Sequence, residues 1–578
     1  MWESLRTVRV YLWRYRGGLA RGLGALVLKD VAGAVQPLVI RAAIDTLSHA
    51  FGLARLLRFA GFLVGLAVVK GLFQYWMRVI IIGISRDIEY DLRNDLFRHL
   101  VELSPDYYGR MRTGDIMARA TNDLNAVRMM LGPGVMYCFE TGLTFALAIA
   151  IMLRADWRLA LCSLAPAPVV SLAVVLFGGA IHRRFERIQE IFSDISSRVQ
   201  ENLAGVRMVR AFVQEQAEIA GFEALNRKYI AQNLALVRIQ GVFEPLLETL
   251  VGATFLAVLW FGGEQVLAGR ISIGSFVMFN TYMGMLVWPM IALGWVVNLI
   301  QRGTASLDRI NQILDQRPSL AGSGKALASP VRGEIRFRRV VVEYDGARAL
   351  DGIDLTVAAG ASLAVVGPTG CGKSTLVNLV ARLLDPTEGT VEIDGQDLRA
   401  LDPAAVRRAI GFVPGETFLF SATIAENIAF GVERAIADQI RHAAEMAGIS
   451  GDIEAFPDGY DTVVGERGIT LSGGQKQRTA IARALLRDPR ILILDDALSS
   501  VDTLTEERIL AHLAGAMRGR TVILISHRVS TVRQAGRIVV LEKGRIVEQG
   551  THADLVALGG HYASLAQKQM LEEELEAI

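Results

Sequence analysis

Gly367, Gly370 and Gly372 punctuate a segment that ends in Lys373, Ser374 and Thr375, the spacing G-x-x-x-x-G-K-[ST]. Glycines at these points let the backbone take positive φ and approach a phosphate closely. Successive N–H groups then form an anion-binding nest at the start of a helix, whose dipole also favours negative charge. Lys373 is placed to reach the β- and γ-phosphates of ATP, and the Ser374 hydroxyl is a hard oxygen suited to Mg²⁺. The apolar run from Ile491 to Leu494 delivers Asp495, expected to hold the hydration shell of the ion, and Asp496, where a general base would face the γ-phosphate. Apolar flanks at 361–366 and 376–380 supply the strand and the helix that such a loop requires. The phosphate-binding set is therefore Gly367, Thr369, Gly370, Cys371, Gly372, Lys373, Ser374 and Thr375, with Ser374 and Asp495 on the metal.

About a hundred residues after the loop come Leu471, Ser472, Gly473, Gly474 and Gln475. Tyr344 stands upstream, Val464 to Gly468 precede the signature, Ser499 to Asp502 follow the Asp pair, and His527 lies beyond. With these motifs, the part from Gly333 to about Leu571 resembles an ABC transporter nucleotide-binding domain. The resemblance implies that Tyr344 stacks on adenine and that His527 contacts the γ-phosphate. It also implies that Leu471 to Gln475 cover ATP bound to the opposite domain of a dimer, and that Asp502 belongs to the nucleotide-binding set.

Two positions depart from that family's pattern. Asp496 stands where hydrolysis-competent members carry Glu, and its carboxylate is one methylene shorter, so it should hold the attacking water badly. Gly415, within Phe412 to Phe420, stands where the family has a Gln that contributes an oxygen near Mg²⁺ and the water. Phosphate binding is expected to survive while water positioning is weakened. The signature at 471–475 is nevertheless consensus. This asymmetry resembles one subunit of the bacterial heterodimeric ABC exporters, in which one ATP site is degenerate, and it implies a second half-transporter as partner. The alternatives are a slow homodimeric exporter or lipid flippase, and an ATP-gated regulatory or channel subunit.

These residues need elements to carry them, and more than 300 residues precede the ATP-binding part. Apolar residues make up 52% of the chain, too many for that stretch to be an ordinary soluble domain. Largely uncharged runs at about 19–45, 57–82, 134–153, 159–181, 242–267 and 273–299 are each long enough to cross a bilayer as a helix. The first contains Arg21, Lys29 and Asp30 and so fits the pattern least well. Seven arginines between Arg86 and Arg128, and eight with Lys228 between Arg183 and Arg238, lie in the second-to-third and fourth-to-fifth connections. The opposite-side turns hold Arg55, Arg154, Arg158 and Arg270. By the positive-inside rule both termini and the two long loops are cytoplasmic, and the resemblance to bacterial exporters implies the inner membrane.

The expected fold is thus a membrane α-helical domain at 1–316, six transmembrane helices with long cytoplasmic extensions, joined by a Ser/Gly/Ala/Pro-rich linker at 317–332 to an α/β P-loop ABC nucleotide-binding domain at 333–578. Helical periodicity through 86–103 and 185–200 predicts helices that run on beyond the bilayer. Stretches 114–119 and 204–212 occupy the places where such exporters carry coupling helices. Met1 to Gly18 lacks the apolar core of a cleavable signal peptide and reads as a basic amphipathic segment on the membrane surface. Cys138, Cys162 and Cys371 form no metal or disulfide spacing. Basic residues dispersed over membrane-flanking loops do not suggest nucleic acid. A soluble ABC ATPase is excluded by the six runs, and an importer is disfavoured by the fused order and the short outer loops. The substrate is expected to be small and hydrophobic or amphipathic, partnered by the lipid bilayer. Glu140, Glu244 and Glu248 lie in the spans as acids that could attract a cationic amphiphile, with snorkelling or pairing to an Arg the alternative for Glu244. Asn280, Tyr282, Met283, Met285, Trp288 and Met290 also lie there, the Met and aromatic cluster reading first as helix packing and second as a pliable ligand wall.

Overall fold

The computed structural model describes residues 5–49, 52–320, 325–344, 346–465, 468, 470–499 and 503–576. The chain divides into two compact units, one of residues 1–101 and 112–316, the other of residues 102–111 and 317–578.

The first unit is helical. Among the described residues, six helical segments long and apolar enough to span a membrane run over Arg16–Ser48, Leu53–Glu102, Thr113–Ala155, Trp157–Ala204, Glu215–Leu267 and Ile273–Leu314. Leu53–Glu102 is a single helix of 50 residues. At 1.5 Å per residue such a helix is about 75 Å long, against about 30 Å of hydrocarbon, so much of it must lie outside the bilayer. The fourth segment is broken: Trp157–Leu164 ends before Pro166, and Ala167–Ala204 starts anew. Pro166 and Pro168 lack the N–H groups a continuous helix would need there. Single π-turns interrupt the third and fifth segments at Arg119–Asp123, Met130–Gly134 and Val258–Gly262.

The charges that disturb the apolar pattern of the first span answer one another in space. Lys29 and Asp30 are buried and paired at 2.9 Å, and Lys29 Nζ also meets Glu140 Oε1 of the third segment at 2.5 Å. A buried cation tolerates a membrane only with such partners. Glu140 is therefore part of an ion triad that ties two helices together, rather than a lone intramembrane acid. At the other end of the first helix, Asp45 accepts from Ser272 Oγ at 2.7 Å and from the Gly274 amide at 2.9 Å, fixing the start of Ile273–Leu314. The N-terminal helix Arg6–Arg14 buries Val8 and Tyr11 against protein. It is bonded through Arg6 to Asp315, Arg14 to Asp91, and Tyr11 to Asp95, each at 2.7 Å.

The second unit is α/β. Six strands lie in the order Arg545–Gly550, Arg537–Glu542, Ser362–Val366, Thr521–Ile525, Ile491–Asp495, Ile410–Val413. All neighbours are parallel except the first pair. Helices cover the sheet, so its inner strands are apolar on both faces; every residue of Ile491–Asp495 and of Thr521–Ile525 is buried. A second, antiparallel sheet pairs Ile335–Tyr344 with Ala347–Val357 and Glu388–Ile393, with Gln396–Asp397 at its edge. The stretch 102–111, with the short helix Pro105–Arg110, groups with this unit, whereas 114–119 and 204–212 group with the helical one.

Candidate nucleotide site

In an open parallel sheet, ligand sites form beyond the carboxyl ends of the strands. Three strands end together here: Val366 leads into the glycine-rich loop, Asp495 pairs in register with Ile525, and two residues beyond Ile525 stands His527. Gly367, Gly370 and Gly372 have φ of 151°, 81° and 103°. A side chain at Gly367 would collide with the Leu541 carbonyl, and one at Gly372 would meet the Ala349 carbonyl at 2.5 Å. Gly372 opens the helix Lys373–Val380, so the loop amides and the helix start share one concave surface.

That surface bounds a cleft of about 650 Å³ lined by Thr369, Gly370, Gly372, Lys373, Ser374 and Thr375, by Asp495 and Asp496, by Gly415, and by Tyr344 and His527. The Lys373 ammonium is held by the carbonyls of Gly367 and Pro368 at 2.8 and 2.9 Å. Tyr344 lines the cleft and is 44% exposed. Burial pushes its phenol above the ordinary value, a hydrogen bond with Thr375 opposes this, and the Asp106 carboxylate adds to it. The sequence pattern gave no sign of Asp106, Asn378 or Glu416 near this site; the last two line the cleft directly.

Asp495 is buried, and desolvation raises its carboxyl above the usual range; Ser374 hydrogen-bonds to it, and Asp496 adds repulsion. Two adjacent carboxylates beside a serine hydroxyl form a hard-oxygen donor set that suits a divalent cation. Asp496 has left-handed backbone geometry, φ 50°, with its amide donating to the Ile525 carbonyl at 3.0 Å. Gly415 sits against this pair. A Cβ built on it would stand 3.3 Å from the Asp495 carbonyl and 3.9 Å from Asp496 Cβ. The two departures from the family pattern thus adjoin the same point in space.

Other expected site residues lie elsewhere. The Cys371 side chain turns away from the cleft into the apolar core between the sheets, where burial pushes its thiol up. Leu471, Ser472, Gly473, Gly474 and Gln475 do not line the cleft. Ser472 caps the helix Gly473–Leu486 in a reciprocal capping box with Gln475 and is exposed, as is Gly473. Gln475 is tied to Asp452 at 3.1 Å. Asp502, like Glu466 and Arg467, lies outside the described residues.

In the helical unit, Tyr282 and Met283 are core residues packed with Ala148, Met152, Leu159 and Phe279, so they hold helices together rather than line a cavity. Trp288 is 62% exposed, and Glu244 and Glu248 are exposed one turn apart. The Asn280 side-chain oxygen is buried with no hydrogen-bond partner among the described residues. The side chain of Met290 lies outside the described set.

Comparison with known proteins matches residues 20–290 to the ABC transporter transmembrane region and 350–499 to the ABC transporter domain. The chain is 37% identical to the multidrug resistance-like ATP-binding protein MdlA of Escherichia coli over 98% of its length and 97% of that protein. It is also 37% identical to the ATP-dependent lipid A-core flippase of Syntrophus aciditrophicus, over 88% and 85% of the two chains. Among solved structures, a bacterial Atm1-family ABC exporter with ATP bound superposes with a TM-score of 0.80 at 29% identity, covering 96% of this chain and 99% of the other.

Proposed function

This chain belongs to the ABC exporters, six membrane-spanning helical segments fused to an ATPase coupled to transport, and we propose that within that family it is the subunit with the degenerate ATP site of a heterodimer. The observation that carries this reading is the adjacency of Gly415 to Asp495 and Asp496. A glutamine there would extend into the cleft beside the carboxylate that faces the γ-phosphate. Here a missing side chain and a shortened one fall together, while the loop, Lys373 and Ser374 remain in the cleft. ATP is bound, and the water is poorly held.

In this reading Thr369 to Thr375 take the phosphates, Tyr344 takes the adenine, and His527 takes the γ-phosphate. Ser374 and Asp495 hold Mg²⁺; the buried, charge-crowded Asp495 favours a divalent cation because the cation relieves both its desolvation and its repulsion with Asp496. Mg²⁺ held there would neutralise phosphate charge. The exposed Ser472 and Gly473 face outward to complete the partner's site, supplying donors when the two domains close. ATP held in this subunit then acts as a clamp, and hydrolysis in the partner resets the transporter. The cargo is a hydrophobic or amphipathic compound, in keeping with the multidrug and lipid descriptions of the relatives. Both termini face the cytoplasm of a bacterial inner membrane, the side on which the arginine-rich loops belong.

The test is turnover with and without a second half-transporter carrying Glu after its metal-binding Asp. The chain purified alone is expected to hydrolyse little ATP, and the pair to hydrolyse it readily. Ser472→Ala in this chain should abolish most turnover of the pair, while the mirror change in the partner mainly loosens trapped nucleotide. Vigorous ATPase activity of the chain alone, or equal losses from the two signature mutants, would overturn the assignment.

A further inference from the structure

The helix His561–Glu576 reaches the loop that carries His527 through the Gln569 side chain. Gln569 Nε2 donates to the His527 carbonyl at 2.5 Å, and Gln569 Oε1 accepts from the Val529 amide at 2.7 Å. A primary amide carries one donor edge and one acceptor edge, so it can pair with a peptide C=O and N–H as a strand would. The amide orientation is fixed by its partners, because a carbonyl needs a donor and an N–H needs an acceptor. The two bonds straddle Arg528 and fix the backbone on both sides of it.

The rest of the loop is held from other directions. The Arg528 amide donates to Ser526 Oγ at 3.0 Å. The Arg528 guanidinium and the Thr531 hydroxyl both bond to Glu506, which is buried on the helix Thr503–Met517. The C-terminal helix is itself anchored at its start. Glu548 accepts from the amides of His561 and Tyr562 at 2.5 and 3.1 Å, and the fully buried Tyr562 bonds to His552 Nδ1 at 2.8 Å. A helix fixed at its N-terminal end by Glu548 and Tyr562 therefore presents Gln569 to the loop from a rigid base. Of residues 526–529, His527 is the one that lines the cleft.

We propose that Gln569 is a positioning residue for His527, and that the C-terminal helix acts as a strut that sets where the imidazole meets the γ-phosphate. This rests on the nucleotide site proposed above. Gln569 itself stays off the cleft and acts through the backbone it clamps. Its effect should fall on nucleotides that possess a γ-phosphate and leave others untouched.

The experiment measures equilibrium binding of ATP and ADP, with Mg²⁺, to the full-length protein and to Gln569→Met, which keeps length and loses both bonds. Gln569→Met should weaken ATP binding by about fivefold, the scale of a net hydrogen bond, with ADP changed by less than about twofold. His527→Ala should show the same selectivity. The double variant should be no weaker for ATP than His527→Ala alone, because the two act in series. Equal losses for ATP and ADP with a lowered melting temperature would make Gln569 merely structural and overturn the proposal. So would additive losses in the double variant, or no change in Gln569→Met. If His527→Ala itself fails to discriminate ATP from ADP, the nucleotide-site reading fails; if only Gln569→Met fails to, the strut alone is refuted.

Discussion

If Asp496 and Gly415 hold the attacking water badly, as proposed, then lengthening the one and supplying a side chain at the other should speed hydrolysis at this site. Asp496→Glu advances the carboxylate by one C–C bond, about 1.5 Å, and a displacement of about 1 Å in a positioned catalytic group is worth roughly 10²-fold in rate. That corresponds to about 2.7 kcal/mol of barrier. Gly415→Gln is feasible in place: its new Cβ would stand 3.3 Å from the Asp495 carbonyl, which needs a shift of only a few tenths of an ångström, and Gly415 is not among the left-handed glycines. The backbone at Asp496 is left-handed, however, a conformation that costs a longer side chain about 1 kcal/mol, so Asp496→Glu should lower the melting temperature slightly. Steady-state ATPase activity of the chain purified alone, at saturating Mg-ATP, is the assay. Asp496→Glu should raise it about 10- to 100-fold, Gly415→Gln alone much less, and the pair more than the product of the two, since both hold one water. If the double variant binds ATP normally yet turns over no faster than the original chain, water positioning is not what limits this site.

Two further expectations concern stability. Burial raises the Asp495 carboxyl, so in the nucleotide-free protein this group favours the fold when protonated, below its unfolded value near pH 4, and that contribution is lost as pH rises through the folded value. Asp495→Asn should therefore raise the melting temperature at pH 7.5, with the gain fading toward pH 4 and with the extra stabilisation by Mg-ATP over metal-free ATP lost; scanning calorimetry at both pH values would show this. Within the helical unit, Lys29→Met leaves Asp30 and Glu140 without their cation and should cost about 3–5 kcal/mol. Detergent-extracted yield and melting temperature should drop, and adding Asp30→Asn with Glu140→Gln should recover most of the loss; failure to recover would mean that Lys29 contributes by packing.

Much of this protein was readable along the chain, because the readable parts depend on local order. The P-loop spacing, the apolar strand before Asp495 and the six apolar runs each encode a physical requirement within about 25 residues: a phosphate nest, a buried strand, a bilayer crossing. The substitutions at 415 and 496 were visible for the same reason, as departures from a local pattern. Their adjacency in space was not, since 80 residues separate them and only the pairing of Ile410–Val413 with Ile491–Asp495 brings the two strand ends side by side. The charges at Lys29 and Asp30 argued against the first span until the fold supplied Glu140, 111 residues away, as a partner. Tyr282 and Met283 have a composition that suits helix packing first and a binding wall second, and they are core; the sequence alone left both readings open, because which face of an all-apolar helix is buried depends on its neighbours and not on its own periodicity. Gln569 carried no signal at all. A glutamine on a polar helix is ordinary by sequence, and its two hydrogen bonds exist only because the chain folds back to lay that helix beside His527. Local patterns determined which chemistry this chain carries, and long-range packing decided which residues face it.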